Sequence, residues 1–285
     1  MASSAPPPDE TATVHCSVGS FHYRVDRHVS RALLVACSTS LEEKIKFAES
    51  QATAQPCQES KQSITLDFSA TAPQLFDLFT TWLDTIELPS WLIQREDTNT
   101  DERLRQKELR ERELVALYTF AVEHDVDKHD VDKLRRDVIN AFLFRFEKGP
   151  PPAESIPMLV AAILDREEPL IRFMAYMVAL ELPPSSVWER LPFGFVARVC
   201  DAVNKLEGEH RLEISERLAT REAIAKVRIL ADWCKWHEHE GDDREKQLTC
   251  AEETKKWRMK WREVQIKVDQ EKETDMDSEG SKAFL

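Results

Sequence analysis

Residues 13–26 read TVHCSVGSFHYRVD and carry the strongest strand signal in the chain. Apolar and polar residues alternate on both sides of Gly19 and Ser20, which is typical of two half-buried strands joined by a turn. Residues 63–68, SITLDF, alternate in the same way. The sequence therefore predicts a β-hairpin, with its second strand over Phe21 to Val25, followed later by a third short strand.

Outside these strands the apolar residues recur at helical spacing. Residues 27–48 predict a helical segment, in which Ser40 followed by Glu43 indicates a capping box. Three further helices are predicted before residue 149, over residues 73–86, 114–122 and 133–146. The first of these has Pro73 in its first turn, where proline is well tolerated.

After the stiff GPPP segment at residues 149–152, only helical spacing occurs. The predicted helices span about residues 156–164, 167–181, 193–206, 214–237 and 244–270. The last one carries an apolar stripe, which either contacts a partner or folds back on the body of the protein: Trp257, Trp261, Val264 and Val268. Residues 271–285 are polar and are expected to be disordered.

Residues 94–113 contain 13 charged side chains in 20 positions. A segment of this charge density is expected to stay in water, so the sequence predicts an exposed insertion. The five-residue word HDVDK then occurs twice, at residues 124–128 and 129–133. An EF-hand loop needs glycine at its sixth position, but that position counted from Asp125 is Asp130, so the repeat is interpreted as a solvated loop.

The composition argues against several classes of function. The net charge is −13, and repulsion from phosphates and anionic lipids argues against nucleic acid and membrane partners. The sequence has no apolar run of about 18 residues, and residues 1–10 lack the features of a secretory signal. Six cysteines without a C-x-x-C pair indicate reduced thiols. The expected location is therefore intracellular, cytoplasmic and/or nuclear.

The sequence contains no recognisable catalytic motif. Its six glycines stand too far apart for a phosphate-binding loop, and the G-x-S-x-G, H-E-x-x-H and kinase motifs are missing. None of the eight histidines stands in a recognisable nucleophile motif. We therefore expect a non-catalytic protein with no cofactor.

One group of residues has the spacing of metal ligands. Cys234, His237 and His239 follow one another closely, and Cys250 comes eleven residues later; two cysteines and two histidines form an acceptable tetrahedral zinc set. The alternative is that Cys234 continues a buried helical stripe, with His237 and His239 near the helix C-terminus. We favour the alternative and assign no metal, keeping the four residues as candidate ligands.

Several sequence words occur in an order that resembles fungal BTB/POZ-domain proteins. After the predicted hairpin these are FAES at residues 47–50, ITL at 64–66, FDLFTTWL at 76–83 and LYTFA at 117–121, with a further helix over 134–143. The chain departs from the family at Asp26, where the family usually has histidine, and in the insertion and the HDVDK repeat. The resemblance covers about residues 13–146.

The resemblance implies an α+β BTB/POZ domain, in which short strands are flanked by helices, followed by an all-helical C-terminal extension. The predicted organisation is a disordered leader over residues 1–12, the domain over 13–146 with its insertion at 94–113, the extension over 153–239, and a charged helix with a disordered tail over 240–285. Only about twelve residues precede the hairpin, including three consecutive prolines. We therefore do not expect the strand-swapped homodimer of longer relatives.

The resemblance also implies a non-catalytic protein–protein interaction module of BTB type. One hypothesis is an adaptor for a cullin-based ubiquitin ligase, in which Phe47 inserts into a cullin pocket and Glu49 contacts its rim from the loop before the third strand. The alternative for this residue pair is that Phe47 closes the core of its own domain. Two other hypotheses for the protein are a BTB scaffold of another assembly, in the nucleus or elsewhere, without a ligase role, and a zinc-binding protein that uses the Cys/His cluster.

Overall fold

The computed structural model describes most of the chain, and the predicted leader lies outside it except for Ala12. The described residues are 12–20, 22–53, 64–94, 101–126, 133–147, 156–163, 169–181, 185–210, 233–237 and 244–282. Within them the fold is mostly helical with one three-stranded sheet. The predicted α+β class is therefore confirmed.

The sheet is built around its first strand. Strand β1 (Thr13–Val18) pairs antiparallel with β2 (Val25–Ser30) on one side and parallel with β3 (Thr65–Phe68) on the other. The apolar residues Val14, Cys16 and Val18 of β1 are completely buried. Burial also raises the pKa of the Cys16 thiol to about 12, so this thiol is inert at neutral pH.

The predicted position of the second strand is wrong. Strand β2 begins at Val25 rather than near residue 21, because the connection from β1 is longer than a two-residue turn. Gly19 has a φ of +98°, and a Cβ there would lie 2.2 Å from the carbonyl oxygen of Tyr23. The alternation that includes Tyr23 therefore belongs to the turn, where this side chain is 63% exposed.

Two helices separated by a single serine follow β2 and form the described part of the connection to β3. Helix α1 spans Arg31–Cys37 and helix α2 spans Thr39–Thr53. Ser38 separates them, and its hydroxyl accepts a hydrogen bond from the Leu41 amide at 3.0 Å. The predicted capping box at Ser40 is therefore wrong, because Ser40 lies inside α2 and Ser38 is the capping residue.

The remaining helices follow in chain order. They are α3 (Pro73–Thr85), α4 (Ser90–Ile93), α5 (Asp101–Glu123), α6 (Lys133–Phe146), α7 (Ile156–Ile163), α8 (Pro169–Glu181), α9 (Ser185–Trp188), α10 (Phe193–His210), a 3-10 turn (Trp233–Trp236) and α11 (Arg244–Lys282). Helix α11 continues past residue 270, where the sequence predicted a disordered tail. Residues 271–282 contain no proline, and extending an existing helix is far easier than starting one.

The chain forms two compact units that are discontinuous in sequence. The first contains residues 1–89 and 116–137, and the second contains residues 90–115 and 138–285. Helices α5 and α6 each contribute residues to both units. This grouping differs from the domain boundary inferred from the sequence near residues 146–153, and that boundary stays a prediction.

Aromatic rings fill the core of the first unit. The rings of Phe68 and Phe76 lie 4.8 Å apart, as do those of Phe79 and Phe120. His124 lies over the same group, with its ring 4.3 Å from that of Phe120. Burial and, to a smaller extent, the nearby Lys44 ammonium lower the pKa of His124 to about 4.

In the second unit the apolar stripe of α11 packs against its own chain. The Trp257 ring lies 6.1 Å from the rings of both Phe144 and Trp233, and Trp261 is 6% exposed. Of the two interpretations of this stripe, the structure supports the one in which it folds back on the body of the protein.

The predicted exposure of residues 94–113 is wrong for Glu111. This residue is 3% exposed on α5, and its carboxylate lies 3.9 Å from the guanidinium of Arg145. Burial raises the pKa of Glu111 to about 7, although Arg145 and Lys107 act in the opposite direction. Arg145 also donates to the carbonyl oxygens of Leu92 and Gln94. Within this highly charged segment, Glu111 therefore lies on the inward face of the helix.

Replacing Ser38 with alanine tests which serine caps α2. The Ser38 hydroxyl is buried and also donates to the carbonyl oxygen of His124, so Ser38→Ala removes two hydrogen bonds. We expect the free energy of unfolding to fall by about 2 kcal/mol. Ser40→Ala is the matched control and should change stability by no more than about 0.5 kcal/mol, since alanine is a good helix former. Urea unfolding measures both, and equal losses would contradict the assignment.

The environment of His124 predicts a loss of stability in mild acid. Histidine in an unfolded chain has a pKa near about 6.5, whereas burial holds the pKa of His124 at about 4 in the folded state. The unfolded state therefore binds the proton first. The contribution of His124 to the free energy of unfolding should be fully present above pH ~6.5. It should fall by roughly 2 kcal/mol as the pH approaches 4.

Urea unfolding between pH 8 and pH 4 measures this slope. His124→Gln should flatten it, whatever its effect on stability at pH 8. His28→Gln is the control, because it removes a histidine that is exposed on β2 rather than buried in the core. An equal slope in wild type and His124→Gln would show that other groups cause the acid sensitivity.

Candidate functional site

Residues 47–50, the FAES word, lie in the last turns of helix α2 rather than in a loop. The helical register explains the difference, because Leu41 and Ile45 are completely buried on one face of α2. Phe47 follows Ile45 by two positions, which places it on the other side of the helix. The segment is therefore regular helix up to Thr53, and the residues after it lie outside the described part of the chain.

Phe47 is 66% exposed, so the alternative that it closes the core of its own domain is wrong. The Ser50 hydroxyl donates a hydrogen bond of 2.7 Å to the carbonyl oxygen of Phe47. An aromatic side chain held on a regular helix is available as a contact residue without any rearrangement of the backbone.

An arginine from the preceding helix holds Glu49, which lies two positions after Phe47 and therefore points to a different side of α2. The Arg31 guanidinium contacts one Glu49 carboxylate oxygen through two nitrogens, with Nη2 at 2.9 Å and Nε at 3.0 Å. The Glu49 side chain remains 37% exposed. This bonding fixes the direction of the carboxylate while leaving part of it accessible to water. Sequence reasoning missed Arg31, because nothing in the spacing of the two residues indicates the contact.

Three of the four candidate metal ligands meet in the second unit. Cys234 belongs to the 3-10 turn, His237 follows it directly, and Cys250 lies on α11. One ligand atom from each residue lies within 4.8 Å of the other two. His239 lies outside the described residues. The fold thus brings together Cys234, His237 and Cys250, although thirteen residues separate the last two.

Both nitrogens of His237 have side-chain partners. Nδ1 lies 3.1 Å from the Cys250 sulfur, and Nε2 lies 3.0 Å from the Asn140 Oδ1 atom. The amide oxygen of Asn140 can only accept, so Nε2 carries the proton and Nδ1 presents its lone pair to the sulfur. The helix predicted over residues 214–237, whose C-terminus His237 was expected to contact, lies outside the described residues up to position 232, so that expectation stays a prediction.

The members of this cluster differ in how deeply they are buried. His237 and Cys250 are each 4% exposed and Asn140 is 1% exposed, whereas Cys234 is half-buried. The Cys234 thiol donates to the carbonyl oxygen of Gln247 at 3.7 Å. Cys234, which was expected to be a core residue, is thus less buried than His237 and Cys250. Sequence reasoning missed Asn140, which is 97 positions from His237 and has no motif to mark it.

No protein-family model, curated protein or solved structure matches this chain. Among the described residues, no helix combines the length and the apolar composition needed to cross a membrane.

Proposed function

We propose that this protein is a non-catalytic protein–protein interaction module of BTB type that acts as an adaptor for a cullin-based ubiquitin ligase. The observation that carries the proposal is that α2 exposes the Phe47 ring and, two positions later, a Glu49 carboxylate that Arg31 holds in place. An aromatic side chain that becomes buried on binding, with a charged residue near its edge, is typical of the residues that dominate a protein–protein interface.

The order of elements around this pair also supports the proposal. An antiparallel hairpin is followed by two helices, a third strand parallel to β1, and further helices. This is the order that the resemblance to BTB/POZ-domain proteins implies. Helix α2, which carries Phe47, packs against β3, so the candidate contact residue stands on an element tied to the sheet.

The rigidity of this surface favours tight contact with a partner. The backbone at Phe47 is regular helix and Arg31 already orients Glu49, so the backbone and the Glu49 carboxylate have little conformational entropy left to lose on binding. Truncating such an anchor typically costs about 2 kcal/mol of binding free energy, which is about a 30-fold change in Kd.

A pull-down with a purified cullin tests the proposal on the full chain. Wild type should retain the cullin, and Phe47→Ala should weaken binding about 30-fold. Glu49→Gln keeps the shape of the side chain but removes its charge, so it should weaken binding by a smaller factor. Phe193→Ala is the matched control, because Phe193 is an 88% exposed aromatic residue on α10 that should not affect cullin binding.

Circular dichroism and thermal melting should first establish that all four proteins are folded. Failure of wild type to bind any cullin would overturn the adaptor proposal and favour a scaffold without a ligase role. The proteins that co-purify with wild type but not with Phe47→Ala would then identify the partner of this surface. Equal binding by wild type and folded Phe47→Ala would show that the ring is not an anchor.

A further inference from the structure

The second unit contains a set of metal-ligand atoms that the proposed interaction function does not use. Cys234 and His237 come from the 3-10 turn and the residue after it, and Cys250 comes from the second turn of α11. We propose that these three side chains bind one zinc ion, which ties the turn to the helix. The proposal does not depend on the function of Phe47, which lies in the first unit.

The distances suit a tetrahedral ion. Zinc–sulfur bonds of ~2.3 Å and zinc–nitrogen bonds of ~2.0 Å place neighbouring ligand atoms about 3.5 to 3.8 Å apart. Here the three ligand atoms lie within 4.8 Å of one another, and the His237 Nδ1 and Cys250 Sγ atoms are 3.1 Å apart. Movements of about an ångström, within reach of side-chain rotation, would seat an ion between them.

Asn140 prepares His237 for this role. It accepts the proton of Nε2 at 3.0 Å, which leaves Nδ1 without a proton and directs its lone pair at the cysteine sulfur. Histidines that bind metals usually donate their second ring nitrogen to an oxygen in this way. Asn140 is 1% exposed, so the bond is shielded from competition by water.

The type of ligand selects the metal. Two sulfurs and one imidazole nitrogen suit zinc, whereas calcium and magnesium prefer oxygen ligands. Without an ion, the Cys250 thiol donates its proton to Nδ1 of His237. On binding, both thiols lose their protons to solvent, two sulfur–zinc bonds and one nitrogen–zinc bond form, and a water molecule completes the tetrahedron.

The surroundings explain why an ion at this point would matter for the fold. The Trp236 ring lies 5.4 Å from that of Phe173 and 5.1 Å from that of Tyr176, both on α8. The neighbouring Trp233 packs against Trp257 of α11 at 6.1 Å. The 3-10 turn therefore joins α8 and α11, and an ion at its end would fix the connection between them.

Zinc binding to the purified full chain tests the proposal. The protein is reduced, stripped with a chelator, loaded with zinc and passed over a desalting column, and the retained metal is measured. Wild type should keep about one zinc per chain, whereas Cys234→Ser and Cys250→Ser should keep less than about 0.1. Cys200→Ser is the matched control and should keep as much as wild type, because Cys200 is exposed on α10.

Two further measurements keep the proposal testable if a cysteine variant does not fold. Cobalt(II) added to stripped wild type should give the absorption of a tetrahedral thiolate complex. Asn140→Ala retains all three ligands but loses the orienting hydrogen bond, so its Kd for zinc should rise roughly 10- to 100-fold.

Three results would overturn the proposal. Wild type could retain less than about 0.1 zinc and give no cobalt–thiolate absorption. Folded Cys250→Ser could retain as much zinc as wild type. Thiol counting could show that Cys234 and Cys250 form a disulfide with each other in protein isolated without reductant and without metal, which would make the cluster a redox pair instead.

Discussion

The first unit depends on pairing both edges of β1. This strand is completely buried at Val14, Cys16 and Val18, so its backbone amides and carbonyls must find partners within the protein. Strands β2 and β3 supply these partners on opposite sides. Because β3 runs parallel to β1, the chain has to cross over between β2 and β3, and helices α1 and α2 make part of this connection. Helix α2 packs on β3 with Leu41 and Ile45 inward, and this packing leaves Phe47 in water.

The second unit shows how a polar cluster is held within aromatic packing. Burying His237 and Asn140 away from water is unfavourable unless each forms hydrogen bonds, and their mutual bond meets that requirement. The same bond gives His237 a defined tautomer, with its proton on Nε2. The two candidate surfaces belong to different units, and they differ in character: Phe47 is exposed for contact with another molecule, whereas His237 and Cys250 face each other inside the protein.

The local sequence pattern predicted which strands and helices form better than it predicted where they begin and end. The alternation in residues 13–18 and 63–68 is borne out by β1 and β3, because one face of each strand is buried. The alternation after Gly19 was misleading, because its apolar residues do not belong to one strand. Tyr23 lies in the turn, whereas Val25 is the first residue of β2. Charge density was equally misleading at Glu111, where the helix period turns the residue toward Arg145. Ser38 was missed as the capping residue of α2, because Ser40, two residues later, fits the sequence pattern of a capping box.

The sequence by itself determined the α+β class, the helices described after residue 155 and the identity of the candidate residues, because strand and helix periods and ligand types can be read from neighbouring positions. Only the tertiary structure decided that Phe47 is exposed and that Arg31 orients Glu49. The tertiary structure also decided that Asn140 meets His237 across 97 positions of chain, and that Cys250 completes the cluster. These contacts join different helices and strands, so they form only when those elements pack together. The periodicity of the local sequence does not predict that packing.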